Sequence, residues 1–494
     1  MTLSILTDDQ IRFLLENLTV DELENFRAGL RAALHQYSTG TQVPEQSLIQ
    51  QPSRTSINNN VTGGTTLYMP SVSPAGHAIK VITLSSAENQ DHTNEAERPI
   101  IKPTGAITLF SPDGAPVGIL NASTPTAFRT ALASLCLVQK REHVRTLAVF
   151  GGGEQAYWHV RLTLMLRGAT IKQVHIINRR FSPSLKQMMH RLYTVPTEMK
   201  VREGWAECTF GVLTPTYGDY KRLLAIQLLD SDVIFCCTPS TVPLFDAEIM
   251  TNKDARRKGR LFVAIGSYTP MMREIPVGLI HQATSISGGG HHRHFHRHAV
   301  EGGVVVVDTL DGALKEAGEL IEAGILPNQL VELGELVMLQ QADMADAGEG
   351  EIDASSQPDS SSRSSVAPSV EFEKLDLGSF SGPGSSMSSV FPDSSSPNVS
   401  GGRSISPSRA SSPSRKSTSS PHRRSFSFDR RSSEEREKKH QKKKKEKEDH
   451  LSQWLHNGNV IYKSVGLGLM DLTVGMHLIR FAREKGIGSH VEGF

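Results

Sequence analysis

Residues 147–180 read LAVFGGGEQAYWHVRLTLMLRGATIKQVHIINRR, and this stretch decides the fold. An apolar run, Leu147 to Phe150, meets three glycines. A helix-like segment follows, then a second apolar run ending at Asn178-Arg179-Arg180. The order is strand, glycine turn, helix, strand. Gly151 and Gly153 fall where a tight turn needs bare backbone. Glu154 and Gln155 open the helix, and Ala156 falls where helix and strand must pack closely. With strands on both sides, the spacing matches the G-x-G-x-x-G/A fingerprint of a dinucleotide fold, in which a diphosphate rests on a helix N-terminus. A glycine-rich turn without a ligand is the competing explanation.

Outward from this unit, apolar runs alternate with helical stretches from Val144 to about Asp308, at 147–150, 174–177, 233–237, 261–265 and 304–307. The last, GGVVVVD, suits a parallel strand buried on both faces. The fold class is therefore α/β, a doubly wound parallel sheet. Upstream, Thr7 and Thr19 each precede an amphipathic helix with an acidic first turn. Residues 36–66 read as irregular, and 65–69, 77–84 and 106–110 as extended, with a Pro112-Asp113-Gly114 turn after them. Thr124–Gln139, Asp311–Ala323 and Gln329–Leu339 read as helices.

Only 38% of the 494 residues are hydrophobic, and the deficit concentrates in residues 341–456. That tract, rich in Ser, Pro, Gly and charge, cannot bury enough surface to offset its ordering entropy. It reads as a disordered insertion, because apolar sequence resumes at Val460 and loop-closure entropy grows only logarithmically. Its Ser406-Pro407, Ser412-Pro413, Ser420-Pro421 and Arg423-Arg424-Ser425 motifs suit protein kinases. Lys442–Lys445 is flanked by glutamates and reads as a solvated linker.

A formal net charge of +1 gives no field that draws nucleic acid or anionic lipid. Cys136, Cys208, Cys236 and Cys237 show neither disulfide nor zinc spacing, and no signal or membrane-spanning run is visible. The expectation is a reduced, cytoplasmic protein with no membrane partner. The run GGGHHRHFHRH at 288–298 fits no structural zinc site and reads as an exposed loop without metal.

An acid at the end of the second strand would bind a ribose 2′-hydroxyl and repel a 2′-phosphate. Here Asn178 is neutral, and Arg179 and Arg180 can pair with phosphate, so NADP(H) is expected over NAD(H). Two arginines pointing into solvent are the alternative. Thr238 and Ser240 follow the run Val233–Cys237, at the carboxyl end of a parallel strand, where ligands of open α/β sheets sit. Their hydroxyls contact the cofactor or merely form a turn before Pro243.

Five further segments carry a likeness: Thr126–Ala131 (TAFRTA), Thr238–Pro243 (TPSTVP), Ala264–Glu274 (AIGSYTPMMRE), Val307–Gly318 (VDTLDGALKEAG) and Lys463–Asp471 (KSVGLGLMD). With Gln155-Ala156, they make the chain resemble the ornithine cyclodeaminase/μ-crystallin family. The resemblance implies a Rossmann-type NAD(P)-binding domain at 141–340. It also implies an α+β substrate and dimerisation domain from residues 1–140 and 457–494, and a homodimer. Members use a nicotinamide cofactor on amino acids or their imines, as cyclodeaminases, ketimine reductases and alanine dehydrogenases.

The same resemblance assigns roles. Arg129 clamps a substrate carboxylate, and Lys80 holds that carboxylate or polarises the imine nitrogen. Arg54 resembles a Pro-Pro-Arg element more loosely, and a plain loop arginine is the alternative. Ser464 and Gly466 lie in the segment near the nicotinamide. Cyclodeaminases carry an Asp where this chain has Tyr268, and a phenol is a poor base at neutral pH. The expected reaction is therefore reduction of a ketimine of a small amino acid by NADPH. Amino-acid cyclodeamination with ammonia release, and silent cofactor binding in a regulatory protein, are the alternatives.

Overall fold

The computed structural model describes residues 2–41, 46–85, 103–284, 302–336 and 451–494, and in it the glycine turn lies between two parallel strands. The N-terminal part supplies β1 (Thr2–Leu6), β2 (Thr55–Asn58), β3 (Gly64–Ser73), β4 (Gly76–Ser85), β5 (Thr104–Phe110) and β6 (Pro116–Asn121). Then come β7 (Thr146–Phe150), β8 (Gln173–Ile177), β9 (Thr209–Leu213), β10 (Val233–Cys236), β11 (Leu261–Ala264), β12 (Val304–Val307), β13 (Leu330–Glu332), β14 (Val460–Lys463) and β15 (Ser489–Glu492).

An eight-stranded sheet runs β13-β12-β14-β11-β10-β7-β8-β9, with every pairing parallel. From β7 the chain moves outward through β8 and β9, then returns to the other side of β7 as β10 and β11. That reversal opens a crevice at the carboxyl ends of β7 and β10. β7, β10, β11, β12 and β14 are buried at every position, which is why their sequences are unbroken apolar runs.

A seven-stranded sheet runs β15-β1-β6-β5-β4-β3-β2 and is antiparallel except between β1 and β6. Helix Gly468–Glu484 lies across β3 to β6, and helices Ser123–Val138 and Val20–Thr39 pack on it. Thr7 and Thr19 cap their helices in full capping boxes with Gln10 and Glu22.

The structure departs from the sequence expectations at several places. β1, β2 and the partly exposed edge strand β9 were not anticipated. Within Gln329–Leu339, Leu330–Glu332 forms edge strand β13 beside β12, and 333–336 are helical. The helix expected at Asp311–Ala323 breaks at Ala317 into Leu310–Glu316 and Gly318–Glu322. The C-terminal segment does more than complete the N-terminal domain, since β14 enters the parallel sheet between β11 and β12. Residues 451–457, placed partly within the insertion, are helical with Trp454 and Leu455 buried. The rest of the Ser-rich tract and the His-rich run at 291–298 lie outside the described residues.

Candidate active site

Gly151 takes φ +112°, and a Cβ there would sit 3.0 Å from the Cys237 carbonyl oxygen and 3.2 Å from Thr238 Cγ2. Bare backbone therefore lets the β7 turn close on the β10 turn at the point where strand order reverses. Gly152 approaches Leu185 closely, whereas a Cβ on Gly153 would meet open space. Gly153 caps helix Glu154–Arg167 with no side-chain hydrogen bond, which leaves the first N–H groups of that helix to an anion. Two buried acceptors beside it, Gln155 Oε1 and Thr238 Oγ1, meet no partner among the described residues. A bare cradle, a helix N-terminus and unmatched polar atoms together fit a dinucleotide.

A cavity of about 370 Å³ opens from this crevice toward the seven-stranded sheet. It brings together Arg54, Lys80, Arg129, Gln155, Ser464 and Gly466 with Cys237, Tyr268 and the apolar Leu67, Met69, Ile82 and Leu84. Strand alternation explains Lys80. Ala78, Lys80 and Ile82 share the inner face of β4, so the lysine enters the interior and is 2% exposed. Arg129 is 3% exposed on a helix buried along nearly its whole length.

Asp471, 1% exposed, compensates both cations. Its Oδ2 lies 2.6 Å from Lys80 Nζ and its Oδ1 3.2 Å from Arg129 Nε. Arg129 Nη1 meets the weak acceptor Met470 Sδ at 3.3 Å. Burial lowers the Lys80 pKa to about 8, with Asp471 opposing that fall and Arg129 adding to it. The ammonium is thus charged at neutral pH yet close to releasing its proton.

Buried carboxylates hold the loops around this group. Asp308 Oδ2 accepts from Ser464 Oγ at 2.9 Å, Val465 N at 3.1 Å and Gly466 N at 2.7 Å. Gly466 takes φ +88°, and a Cβ there would lie 2.8 Å from Arg129 Nη2. Glu274 accepts from Thr238 N, Gly266 N and Ser267 N at 2.7–3.0 Å, which ties the β10 and β11 turns together. Burial, with the nearby charge of Glu319, raises its pKa to about 8 against the pull of Lys463. Arg54 Nε pairs with Glu316 Oε1 at 2.8 Å, and its Nη2 donates to the Tyr268 carbonyl. Burial pushes the Tyr268 phenol up.

Other expected residues sit differently. Glu154 faces Arg191 at 2.8 Å, and that guanidinium also binds Glu16 and stacks on Tyr157. Ala156 is fully buried as packing. Ser240 Oγ donates to the Val242 carbonyl at 2.6 Å, so this hydroxyl shapes the turn. Asn178 Nδ2 donates to the Arg180 carbonyl at 2.7 Å, while Arg179 and Arg180 are exposed at the end of β8. Asp308, Glu274, Glu316 and Asp471 were missed as site residues. The visible signals were an acid closing the run VVVVD and one inside an apolar helix.

Fold and site together define a two-sheet α/β protein of the Rossmann class, with a cationic cavity at the sheet's switch point. No protein-family model matches the chain. It is 25% identical over 362 residues to an uncharacterized protein of Saccharomyces cerevisiae, covering 69% of this chain and 88% of that one. It is 29% identical over 240 residues to an uncharacterized cyclodeaminase of Dictyostelium discoideum, covering 47% and 61%. It is 24% identical over 300 residues to a Δ1-pyrroline-2-carboxylate reductase of Bacillus cereus, covering 59% and 76%. The structure of a Δ1-pyrroline-2-carboxylate reductase from Thermococcus litoralis, in complex with NADH and L-proline, shares the fold with a TM-score of 0.55. Sequence identity there is 16%, and the match covers 99% of this chain and 100% of that one. These relatives and folds are in keeping with the resemblance to the ornithine cyclodeaminase/μ-crystallin family.

Proposed function

We propose that this protein reduces a ketimine of a small amino acid with a nicotinamide dinucleotide, NADPH in preference to NADH. The observation that carries the reading is the buried Lys80–Asp471–Arg129 group on the wall of a cavity that opens at the Gly151–Thr238 crevice. The cofactor, when bound, supplies hydride; the protein supplies orientation and charge. Gly151, Gly153, Gln155 and Thr238 would hold it, with Ser464 and Gly466 near its reactive ring. Arg129 orients the substrate carboxylate. Lys80 gives its proton to the imine nitrogen, so hydride at carbon and proton at nitrogen yield the amine. Relatives named as pyrroline-2-carboxylate reductases support this reading. Tyr268, where cyclodeaminases carry Asp, disfavours ammonia release.

The exposed pair Arg179 and Arg180, with no acid at the strand end, supports NADPH. A homodimer is supported by the outer face of the seven-stranded sheet, where Tyr68, Ile79, Val81 and Ile119 are half-buried and Ile5 and Ile57 exposed. Free cysteines support a cytoplasmic setting, and no helix among the described residues is long and apolar enough to cross a membrane. The Ser-Pro and Arg-Arg-Ser motifs are proposed kinase sites.

Purified protein should oxidise NADPH with cyclic ketimines and should not release ammonia from ornithine with NAD. Arg129→Ala should abolish turnover while leaving cofactor affinity intact. Ammonia and proline formation, or undiminished activity of Arg129→Ala, would overturn the reading.

A further inference from the structure

Three cations line the cavity, Arg54, Lys80 and Arg129, and two carboxylates touch them: Asp471 on Lys80 and Arg129, Glu316 on Arg54. The difference, three minus two, leaves one positive charge for a ligand to neutralise. Among the described residues no Asp or Glu lines the cavity itself. The wall next to Lys80 is hydrocarbon. Met69 stands directly across from Lys80 in the β3–β4 pairing, and Leu67 across from Ile82. Two residues along β4 advance the wall by about 7 Å, so a molecule anchored at Lys80 runs its side chain over Ile82 and Leu84.

Resting on the reductase reading above, we propose that the site takes ketimine monocarboxylates with an uncharged, apolar side chain and rejects both dicarboxylates and compounds ending in a cation. One carboxylate balances the single excess charge. A second carboxylate laid along β4 would lie against Leu67, Ile82 or Leu84, whose side chains carry no donor. A terminal ammonium there would meet the same hydrocarbon, which carries no acceptor, and an unpaired buried charge is strongly disfavoured.

The test uses the full chain, with NADPH and separately NADH. The substrates are the methylamine ketimines of three 2-oxo acids: 4-methyl-2-oxopentanoate, oxaloacetate, and one ending in trimethylammonium, which cannot cyclise. The apolar imine should exceed each of the others in kcat/KM by about a hundredfold. Leu84→Glu, at a half-buried position near the end of β4, should narrow the gap to the trimethylammonium compound by about tenfold or more. Equal or better turnover of either charged imine overturns the proposal. If neither these imines nor the cyclic ketimines above are reduced, the reductase reading fails, and the cavity is then judged by calorimetry without cofactor. Binding of N-methyl-leucine in preference to aspartate and ornithine supports the assignment; the reverse order overturns it.

Discussion

Asp471 compensates two cations at once, and asparagine keeps its shape while removing its charge. With an effective dielectric of about 20, the 2.6 Å contact to Lys80 is worth about 6 kcal/mol of Coulombic attraction. The amide dipole and solvent relaxation restore about half, so a loss of about 3 kcal/mol lowers the Lys80 pKa by about two units. In the intact protein burial sets that pKa at about 8. In Asp471→Asn it falls to about 6, and the ammonium fraction at pH 7 drops about tenfold. With the protonated lysine as the proposed donor, activity should be present below the pKa and lost above it. The profile of kcat/KM against pH reports the free enzyme. The parent should lose activity above about 8 and the variant above about 6, with kcat/KM at neutral pH down about tenfold. A basic limb that stays in place, with kcat/KM unchanged, would refute the role of Asp471 as the lysine's counterion.

Gly151→Ala forces an L-residue into φ +112° and sets its Cβ 3.0 Å from the Cys237 carbonyl. Dinucleotide affinity should fall about tenfold or more by calorimetry, with the circular dichroism unchanged; an unaltered Kd would sink the cradle. Asn178→Asp places a carboxylate at the end of β8 and should raise the KM for NADPH about tenfold relative to NADH. Unchanged relative KM values would show that this strand end does not read the 2′ position. Arg141 donates to the carbonyls of Gly458 at 2.8 Å, Gly259 at 3.0 Å and Leu455 at 3.1 Å. Arg141→Met leaves these acceptors buried and should cost about 3–5 kcal/mol in urea unfolding; a loss under about 1 kcal/mol contradicts that accounting.

Much of the nucleotide half was legible because its constraints are local. A positive φ at Gly151, a bare helix start at Gly153 and five apolar runs each leave a mark within a few residues. Lys80 was legible through the family resemblance alone, and the structure adds the alternation that sends it inward with Ala78 and Ile82. Asp471 was not, because its meaning depends on Arg129, 342 residues away in sequence. An acid on a helix ordinarily faces water, and only the packing of Gly468–Glu484 across β3 to β6 buries this one. Asp308, Glu274 and Glu316 escaped for the same reason, since each acts on a distant loop. Four residues, VIYK, cannot announce which sheet they join, and so β14 was assigned with its neighbours. Ser240 shows the converse: a hydroxyl at the right strand end can be engaged by its own turn.

Because β14 lies between β11 and β12, the order of synthesis and the order of assembly disagree. β7 to β11 can associate early on the ribosome, but β12 and β13 have no bond to that core until residues 460–463 emerge. Until then the growing chain carries a bare, apolar β11 edge, the kind of template on which strands of other chains add. A message truncated within residues 341–450 would therefore yield more than an inactive enzyme. It would yield a sheet open at its middle, prone to aggregate and to be cleared by proteolysis, however well the glycine turn itself had formed.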